Sequence, residues 1–415
     1  MEQKYTQIDN KGGGRRTTIL NKYFSLLLVL YPVLYLYSIN GFNVGYLCFF
    51  TGTVLFLIYC IWFQNRIILF PNINRFFCYM ALVPPLSNAI ITSAWGQMLQ
   101  TGTWLFLLYL IIFSNIIEKN LFLRYYKIVV CIAVFFFLFQ EFVYYTSGYR
   151  ISGIIPFLDF SFYQDGSTAD MVEFQQNTNR SSSFFMEPAM FAQFLLPALV
   201  INMKYTKKNF AAFCGLVLVF LLLRSGIGLL ALGCCCTVLI FRFLINDLTK
   251  KIIFRLSIVL IILCIGLYAV KTEYVQELLN RSSEFEASEN ETSGFVRVIR
   301  GYYLFNDLKM GQKFFGVGTK NLETVIDDSR YAFMFGDEEV YLNGIQAILV
   351  GGGYLGLSLF LIMLCDIGHK VDFTGKMILW IFLVISLAAA TYLSSLMLLY
   401  LILAFSFKKT TIYGI

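Results

Sequence analysis

Repeated apolar runs, each long enough to cross a lipid bilayer as a helix, constrain this chain more than any other feature. Hydrophobic residues make up 58% of its 415 residues and charged residues only 14%. Crossing a hydrocarbon layer of about 30 Å takes about 20 helical residues. In lipid such solid apolar blocks satisfy their backbone polar groups as helices, whereas a transmembrane β-barrel shows short alternating segments. The sequence therefore predicts an all-α polytopic membrane protein.

Twelve spans account for these runs. The last two divide one apolar stretch, 377–407, which is longer than a single span needs and is interrupted by Thr391, Tyr392, Ser394 and Ser395. The predicted spans are 19–39, 43–63, 76–94, 102–117, 125–145, 184–203, 209–223, 226–245, 252–270, 343–365, 376–391 and 394–407.

Lysine and arginine are distributed unevenly between the loops of this map. They occur in the amino-terminal arm, in alternate short loops such as those containing Lys119, Lys204 and Lys370, and in the carboxy-terminal tail. Short loops rich in these cations remain on the cytoplasmic side. Both termini are therefore predicted to be cytoplasmic, and two long loops, 146–183 and 271–342, to be extracytoplasmic.

These assignments divide the chain into three membrane regions and two large exterior loops. The membrane regions are a five-helix region (1–145), a four-helix region (184–270) and a three-helix region (343–415), separated by the loops 146–183 and 271–342. The topology accounts for the net charge of +7. We therefore expect membrane lipid, and not nucleic acid, as a partner.

Cofactor-binding motifs are absent from the sequence. There is no strand–glycine-rich–helix nucleotide motif and no metal-ligand cluster, and the only histidine, His369, lies in a predicted cytoplasmic loop. The ten cysteines fall within or at the ends of predicted spans, so no disulfide framework is expected. The sequence predicts neither a metal ion nor a cofactor.

Four arginines on the predicted exterior side are candidate anion ligands. Arg224, in LLLRSGIGLL, is the only cation in the short exterior loops, and Arg180 ends the first long loop. Arg297 and Arg300 would share one face if their segment is helical, with Ser293 as its cap. Guanidinium groups bind phosphate oxygens bidentately and stay charged. Diphosphate binding at the lipid–water boundary is therefore one interpretation of these residues.

Other interpretations remain open for the charged residues of this side. An arginine near a span end can extend to the headgroups without a specific ligand, and Arg297 and Arg300 can form a solvated face paired with the acidic run 284–291. Glu187 either orients an arginine or binds part of the substrate. Its structural alternative is a carboxylate in the first turn of a helix, where the helix dipole stabilises its negative charge. Glu141 is a candidate intramembrane acid of a transporter, with a structural role as the alternative.

The order of several segments resembles the Wzy-type O-antigen and capsule polymerases and, more distantly, the O-antigen ligases. The matching segments, within 180–360, are RSSSFFMEP, LLLRSGIGLLAL, VRVIRGYYLF followed by FFGVGTKN, and EEVYLNGIQAILVGGGYLGL. The resemblance implies a GT-C-like helical glycosyltransferase of the bacterial cytoplasmic membrane, with an extracytoplasmic active site and no metal ion. Its substrates would be undecaprenyl-diphosphate-linked oligosaccharide repeat units, polymerised into O-antigen or capsular polysaccharide. A polysaccharide chain-length regulator would be a further partner.

The resemblance also assigns roles to the arginines. Arg180, Arg224 and one of Arg297 and Arg300 correspond to the arginines that bind the diphosphate in this superfamily. Their charge would stabilise the leaving group as the growing glycan passes from its lipid diphosphate to the incoming repeat unit.

The acceptor side of the reaction is less well marked. The ligases carry a histidine just before the span that follows the large loop, where this chain has Leu342. The missing histidine argues against a ligase. Glu339, with Glu338 as second choice, is therefore the candidate general base. Solvated acids near a membrane surface are the alternative. Tyr341 and Asn343 are candidates to line the sugar site.

A lipid-linked oligosaccharide flippase or other transporter is the non-enzymatic alternative. Such a protein needs charged groups along a central cavity that opens to both sides of the membrane. This chain places its conspicuous cations outside instead, which favours the polymerase.

Overall fold

The structure, a computed structural model, describes residues 14–35, 37–39, 42–45, 71–87, 119–155, 158–160, 180–203, 207–245, 293–319, 321–335 and 341–408, with isolated positions between 47 and 104. The described chain is mostly helical. Two of its helices, Lys119–Ser147 and Gly344–Lys370, are long and apolar enough to cross a membrane.

The described part contains thirteen α-helices and one 3-10 turn, Ala332–Met334. The helices are α1 (Gly14–Leu34), α2 (Pro71–Ser87), α3 (Lys119–Ser147), α4 (Pro188–Asn202), α5 (Lys207–Leu223), α6 (Gly226–Ile245), α7 (Ser293–Val298), α8 (Arg300–Asp307), α9 (Met310–Phe315), α10 (Leu322–Asp327), α11 (Gly344–Lys370), α12 (Phe373–Ile385) and α13 (Ser395–Phe405).

Several helices match the predicted spans closely. Helix α6 has the predicted bounds 226–245, and α5 begins two residues before the span 209–223. The predicted division of 377–407 is also found, since α12 ends at Ile385 and α13 begins at Ser395. The span 252–270 and most of the spans 43–63 and 102–117 lie outside the described residues. The total of twelve therefore stays a prediction.

A small antiparallel sheet corrects the expectation of a purely helical chain. Strand β1 (Tyr37–Ile39) lies between β2 (Phe42–Asn43) and β3 (Asp159–Phe160). The first predicted span, 19–39, is therefore too long, because its last residues pair as a strand after α1 ends. The dipeptide Asn40–Gly41 between β1 and β2 is the sequence that two-residue hairpins favour. The sheet joins the end of α1 to the first long loop.

Helix α4 lies at the centre of the bundle. Its residues from Phe191 to Ile201 are all buried, and it packs against α5, α6, α12 and α13. Pro188 begins the helix, where the missing N–H costs no intrahelical hydrogen bond. Because it is apolar on every side, this helix needs neighbours all round and fixes the positions of the helices that surround it.

One end of the bundle, which we call the basic end, carries a cluster of cations. Helix α11 ends there and α12 begins, and Asp372 N–H donates to Phe407 O over 2.7 Å. Burial, followed by the charges of Lys119 and Lys370, lowers the pKa of Lys408. The described cations at this end include Arg75, Lys119, Arg124, Lys127, Lys370, Lys376 and Lys408.

The opposite end, which we call the site end, is where α4, α6 and α11 begin. The turn between α5 and α6 packs against the first turns of α4, since a Cβ added to Gly228 would lie 2.8 Å from Ala192 Cβ. The N–H of Ser183, just before α4, donates a hydrogen bond to Gln140 Oε1 of α3 over 2.9 Å. Helix ends that are far apart in sequence therefore meet at the site end.

Helix α11 is interrupted at Gly353, whose φ of 66° is left-handed. The segment after α9 fills the interruption: Val317 N–H donates to Val350 O over 3.0 Å and Gly318 N–H to Gly351 O over 2.9 Å. Gly316, with φ of 81°, backs onto the same turn, where a Cβ would collide with Gly351 O. The glycines therefore allow two backbones to approach at this point.

Candidate functional site

Seven of the predicted site residues are gathered at the site end. They lie before α4, in the α5–α6 turn, in α7 and α8, and at the start of α11, and they are Arg180, Glu187, Arg224, Arg297, Arg300, Tyr341 and Asn343. The two candidate bases, Glu338 and Glu339, lie outside the described residues.

Glu187 and Arg297 form an ion pair across 110 residues of sequence. Arg297 Nη2 donates to Glu187 Oε2 over 3.2 Å, with the two side chains 30% and 25% exposed. Glu187 is the N-cap residue of α4 but makes no side-chain capping bond. Its carboxylate instead faces the arginine, which fits the interpretation that Glu187 orients an arginine.

The Arg297 guanidinium keeps the capacity to bind a further anion. The contact with Glu187 is made through Nη2, whereas a guanidinium carries five N–H donors in a planar fork. Its Cζ also lies 5.9 Å from the centre of the Tyr341 ring, within cation–π range. Partial exposure and a fixed orientation are the two properties that an anion ligand needs.

Asn343 holds the start of α11 and the backbone of Arg297 together. It is fully buried; Oδ1 accepts from Gln346 N–H over 2.8 Å, and Nδ2 donates to Arg297 O over 2.9 Å and to Leu387 O over 2.8 Å. Gln346 Oε1 in turn accepts from Asn343 N–H, which completes a capping box. These bonds favour a positioning role for Asn343 over the predicted direct contact with a sugar.

Tyr341 connects the same region to the segment between α12 and α13. Its hydroxyl donates to Ala388 O over 3.3 Å and accepts from Ala390 N–H over 3.2 Å. Burial raises the pKa of Tyr341, and the charge of Arg297 opposes this effect. The phenol is therefore neutral at physiological pH and can serve as a hydrogen-bonding group but not as a base.

Arg300 does not share the environment of Arg297. Helix α7 ends at Val298 and α8 begins at Arg300, and the Arg300 side chain is buried. It donates to Met334 O over 3.1 Å and to Tyr341 O over 3.5 Å, and its Cζ lies 4.6 Å from the centre of the Phe335 ring. The expected pair on one helix face is therefore divided, with Arg300 binding loop carbonyls.

Arg224 occupies the turn that the sequence predicts. It has a left-handed φ of 51° and is exposed between α5 and α6. The next residue, Ser225, accepts from Gly228 N–H over 3.3 Å and so stabilises the first turn of α6. Because Gly228 packs against Ala192, the turn is tied to the same helix that carries Glu187.

A buried ion pair beside Arg180 was not predicted from the sequence. Arg150 Nη1 donates to Ser181 Oγ over 2.8 Å and lies 3.3 Å from Glu141 Oε1, and its Cζ is 3.9 Å from the centre of the Tyr144 ring. Arg150 therefore balances the negative charge of Glu141 near the end of α3. The available signal was a lone carboxylate near a span end, which requires a cation nearby.

The three serines after Arg180 form a rigid connection. Ser183 has φ of 55°, and its hydroxyl donates to Ala133 O over 2.8 Å. Tyr37, from β1, donates to Phe184 O over 2.9 Å. Gly153 lies so close that a Cβ would collide with Ser183 O. Half-buried Arg180 thus precedes a segment held by α3, β1 and the first long loop.

No protein-family model and no curated protein matches this chain. Among the described residues, no group of three or more His, Cys, Asp or Glu side chains is arranged to hold a metal ion. The function is therefore inferred from the arrangement of the site itself.

Proposed function

We propose that the protein is a multi-pass glycosyltransferase of the bacterial cytoplasmic membrane that polymerises undecaprenyl-diphosphate-linked oligosaccharide repeat units into O-antigen or capsular polysaccharide. The observation that carries this proposal is the gathering of Arg180, Arg224 and Arg297 at one end of a helical bundle whose other end bears the basic cluster. The positive-inside rule assigns the basic end to the cytoplasm. The arginines then face the compartment in which lipid diphosphates, and no nucleotide sugars, are the glycosyl donors.

The membrane placement rests on helix length and charge. Helices α3 and α11 are each long and apolar enough to span, and the shorter apolar helices pack alongside them. We propose twelve spans, both termini in the cytoplasm and the loops 146–183 and 271–342 outside. In this orientation the amino termini of α4, α6 and α11 point outward, and their dipoles add to the attraction for an anionic substrate.

The reaction needs charge stabilisation more than covalent help from the protein. An acceptor hydroxyl of the incoming repeat unit attacks the anomeric carbon of the growing glycan, forming a new C–O bond. The bond to the lipid diphosphate breaks, and the diphosphate leaves with the electron pair. The acceptor proton passes to a base, for which Glu339 is the first candidate and Glu338 the second. Arginines fixed in advance near the departing oxygen lower the barrier without a metal ion.

The geometry suggests a division of work among the arginines. Arg297 is exposed enough to reach a ligand and is oriented by Glu187, whereas Arg300 is buried against loop carbonyls. We propose that Arg297, and not Arg300, contacts the diphosphate together with Arg180 and Arg224, and that Arg300 holds the loop in which Arg297 lies.

A reconstituted reaction tests the proposal. The purified protein in lipid, with a chelator and without nucleotide sugar, is supplied with its lipid diphosphate repeat unit, and products are separated by size. We expect a ladder that Arg224→Ala abolishes. Arg330→Ala is the matched control, because Arg330 is also an exterior arginine but is 79% exposed and paired with Asp307. A folded protein that leaves intact substrate unchanged would contradict polymerase function and favour ligation or transport.

A further inference from the structure

We infer that helix α9 (Met310–Phe315) is embedded in the headgroup–acyl boundary of the outer leaflet and that a phospholipid bilayer containing anionic headgroups covers its exposed face. This inference rests on the proposed membrane orientation but not on the proposed reaction. It concerns a surface of the second large loop that lies apart from the arginines.

Helix α9 exposes large apolar side chains. Met310 is 70% exposed and Phe314 is 50% exposed, and their spacing of four places them on one face of the helix. Phe315 beside them is also exposed. Exposure of these side chains to water would not stabilise a short loop helix, whereas their burial at a lipid boundary would.

The apolar face of α9 continues onto α11. The Phe314 and Tyr354 rings lie 6.0 Å apart in an edge-on arrangement. Tyr354 belongs to an exposed apolar stripe of α11 that includes Leu361 and Ile362. Because α11 is one of the two helices long and apolar enough to cross a membrane, this stripe is where lipid chains would contact it.

Backbone hydrogen bonds fix the depth of α9. The segment that follows it is bonded to Val350 O and Gly351 O, about six or seven residues into α11, which at 1.5 Å per residue is about 10 Å along the helix. Tyr79 of α2 adds a bond of 3.0 Å to Phe315 O. Helix α9 is therefore attached below the outer end of α11, at the level expected of an interfacial helix.

Two lysines complement the headgroups. Lys309 immediately precedes α9 and is exposed, and half-buried Lys313 lies in its last turn. Cationic side chains beside an apolar face are the pattern of helices that lie in the interface of anionic bilayers, since the charges reach the phosphates while the apolar groups enter the lipid.

Depth-dependent fluorescence quenching tests the inference. The full chain is placed in nanodiscs that contain phosphatidylglycerol and phosphatidylcholine brominated either near the headgroup or near the chain end. Phe314→Trp and Tyr354→Trp are compared with Asn306→Trp, at an exposed polar position of α8, after subtraction of the native tryptophan signal. We expect the fluorescence of Phe314→Trp to be quenched mainly by lipid brominated near the headgroup. The fluorescence of Asn306→Trp should be retained with both lipids.

Each outcome has a distinct meaning. Quenching at positions 354 and 314 supports the inference whether or not the protein forms polymer. Quenching at position 354 without quenching at 314 overturns it and leaves the membrane placement of α11 intact. Absence of quenching at both positions overturns the inference together with the proposed membrane placement of α11. A protein that passes the quenching test but gives no ladder would refute only the reaction.

Discussion

Asn343 offers the sharpest test of how the site is held together. Asn343→Ala removes an N-cap worth about 1 kcal/mol. It also leaves two carbonyls, Arg297 O and Leu387 O, without this donor, at about 0.5–1.5 kcal/mol each. The expected loss in the free energy of unfolding is therefore about 2–4 kcal/mol.

Asn343→Ser separates these contributions. Serine caps a helix about as well as asparagine but cannot supply the two Nδ2 bonds, so its loss should be about 1–3 kcal/mol. Asp372→Ala is the matched control, since Asp372 caps α12 through one bond to Gly375 N–H and should cost about 1 kcal/mol.

Unfolding of the reconstituted protein by denaturant measures all three variants. Equal stability of Asn343→Ala and Asp372→Ala would refute the view that Asn343 crosslinks two segments in addition to capping α11. Activity adds a second reading, because displacement of the Arg297 backbone in Asn343→Ser should reduce polymer formation even at temperatures where the variant is folded.

The remaining predictions concern one turn and two charged pairs. Arg224→Ala should lower the polymerisation rate by about 10²-fold or more and Arg224→Lys should restore little of it, because an ammonium cannot reproduce the guanidinium fork; initial rates measure both. Arg150→Met should cost about 3–5 kcal/mol by leaving the carboxylate of Glu141 buried and unpaired, and the double variant with Glu141→Leu should recover most of this stability in the same unfolding assay. Hydrogen bonds from the backbone and side chain of Arg330 lower the pKa of Asp307. Their contribution is therefore present above the unfolded-state pKa of about 4 and is lost as the pH falls through the lower folded-state pKa, so melting temperatures of the wild type and Asp307→Asn should converge in acid.

The apolar runs were sufficient to predict where most described helices lie. Solid hydrophobic blocks depend on local composition, so α5, α6 and the break between α12 and α13 follow from sequence alone. The β-sheet was missed because its strands are two or three residues long and β3 comes from a distant loop. Periodicity carries no signal for such short long-range pairs.

Local sequence patterns likewise predicted some features of the candidate site, whereas its tertiary contacts were not predicted. The Arg224 turn and the arginine-bearing segments were visible as exceptions to a charge pattern. The pairing of Glu187 with Arg297 and of Glu141 with Arg150 depends on tertiary contacts that one sequence does not encode locally. The Asn343–Gln346 capping box was available as a local pattern, since asparagine is followed three residues later by glutamine. It agrees with the predicted start of the span 343–365 and would have indicated a capping role for Asn343 in place of a contact with a sugar.

The interruption of α11 at Gly353 has a consequence for biosynthesis. The carbonyls of Val350 and Gly351 are paired with amides of the segment 317–318, which precedes α11 in the chain. In the proposed topology that segment is exported before its partner helix has been made. We expect α11 to enter the bilayer as an unbroken helix. It would bend at Gly353 only when the segment 317–318 binds to it, so the bend would form at a late step of assembly.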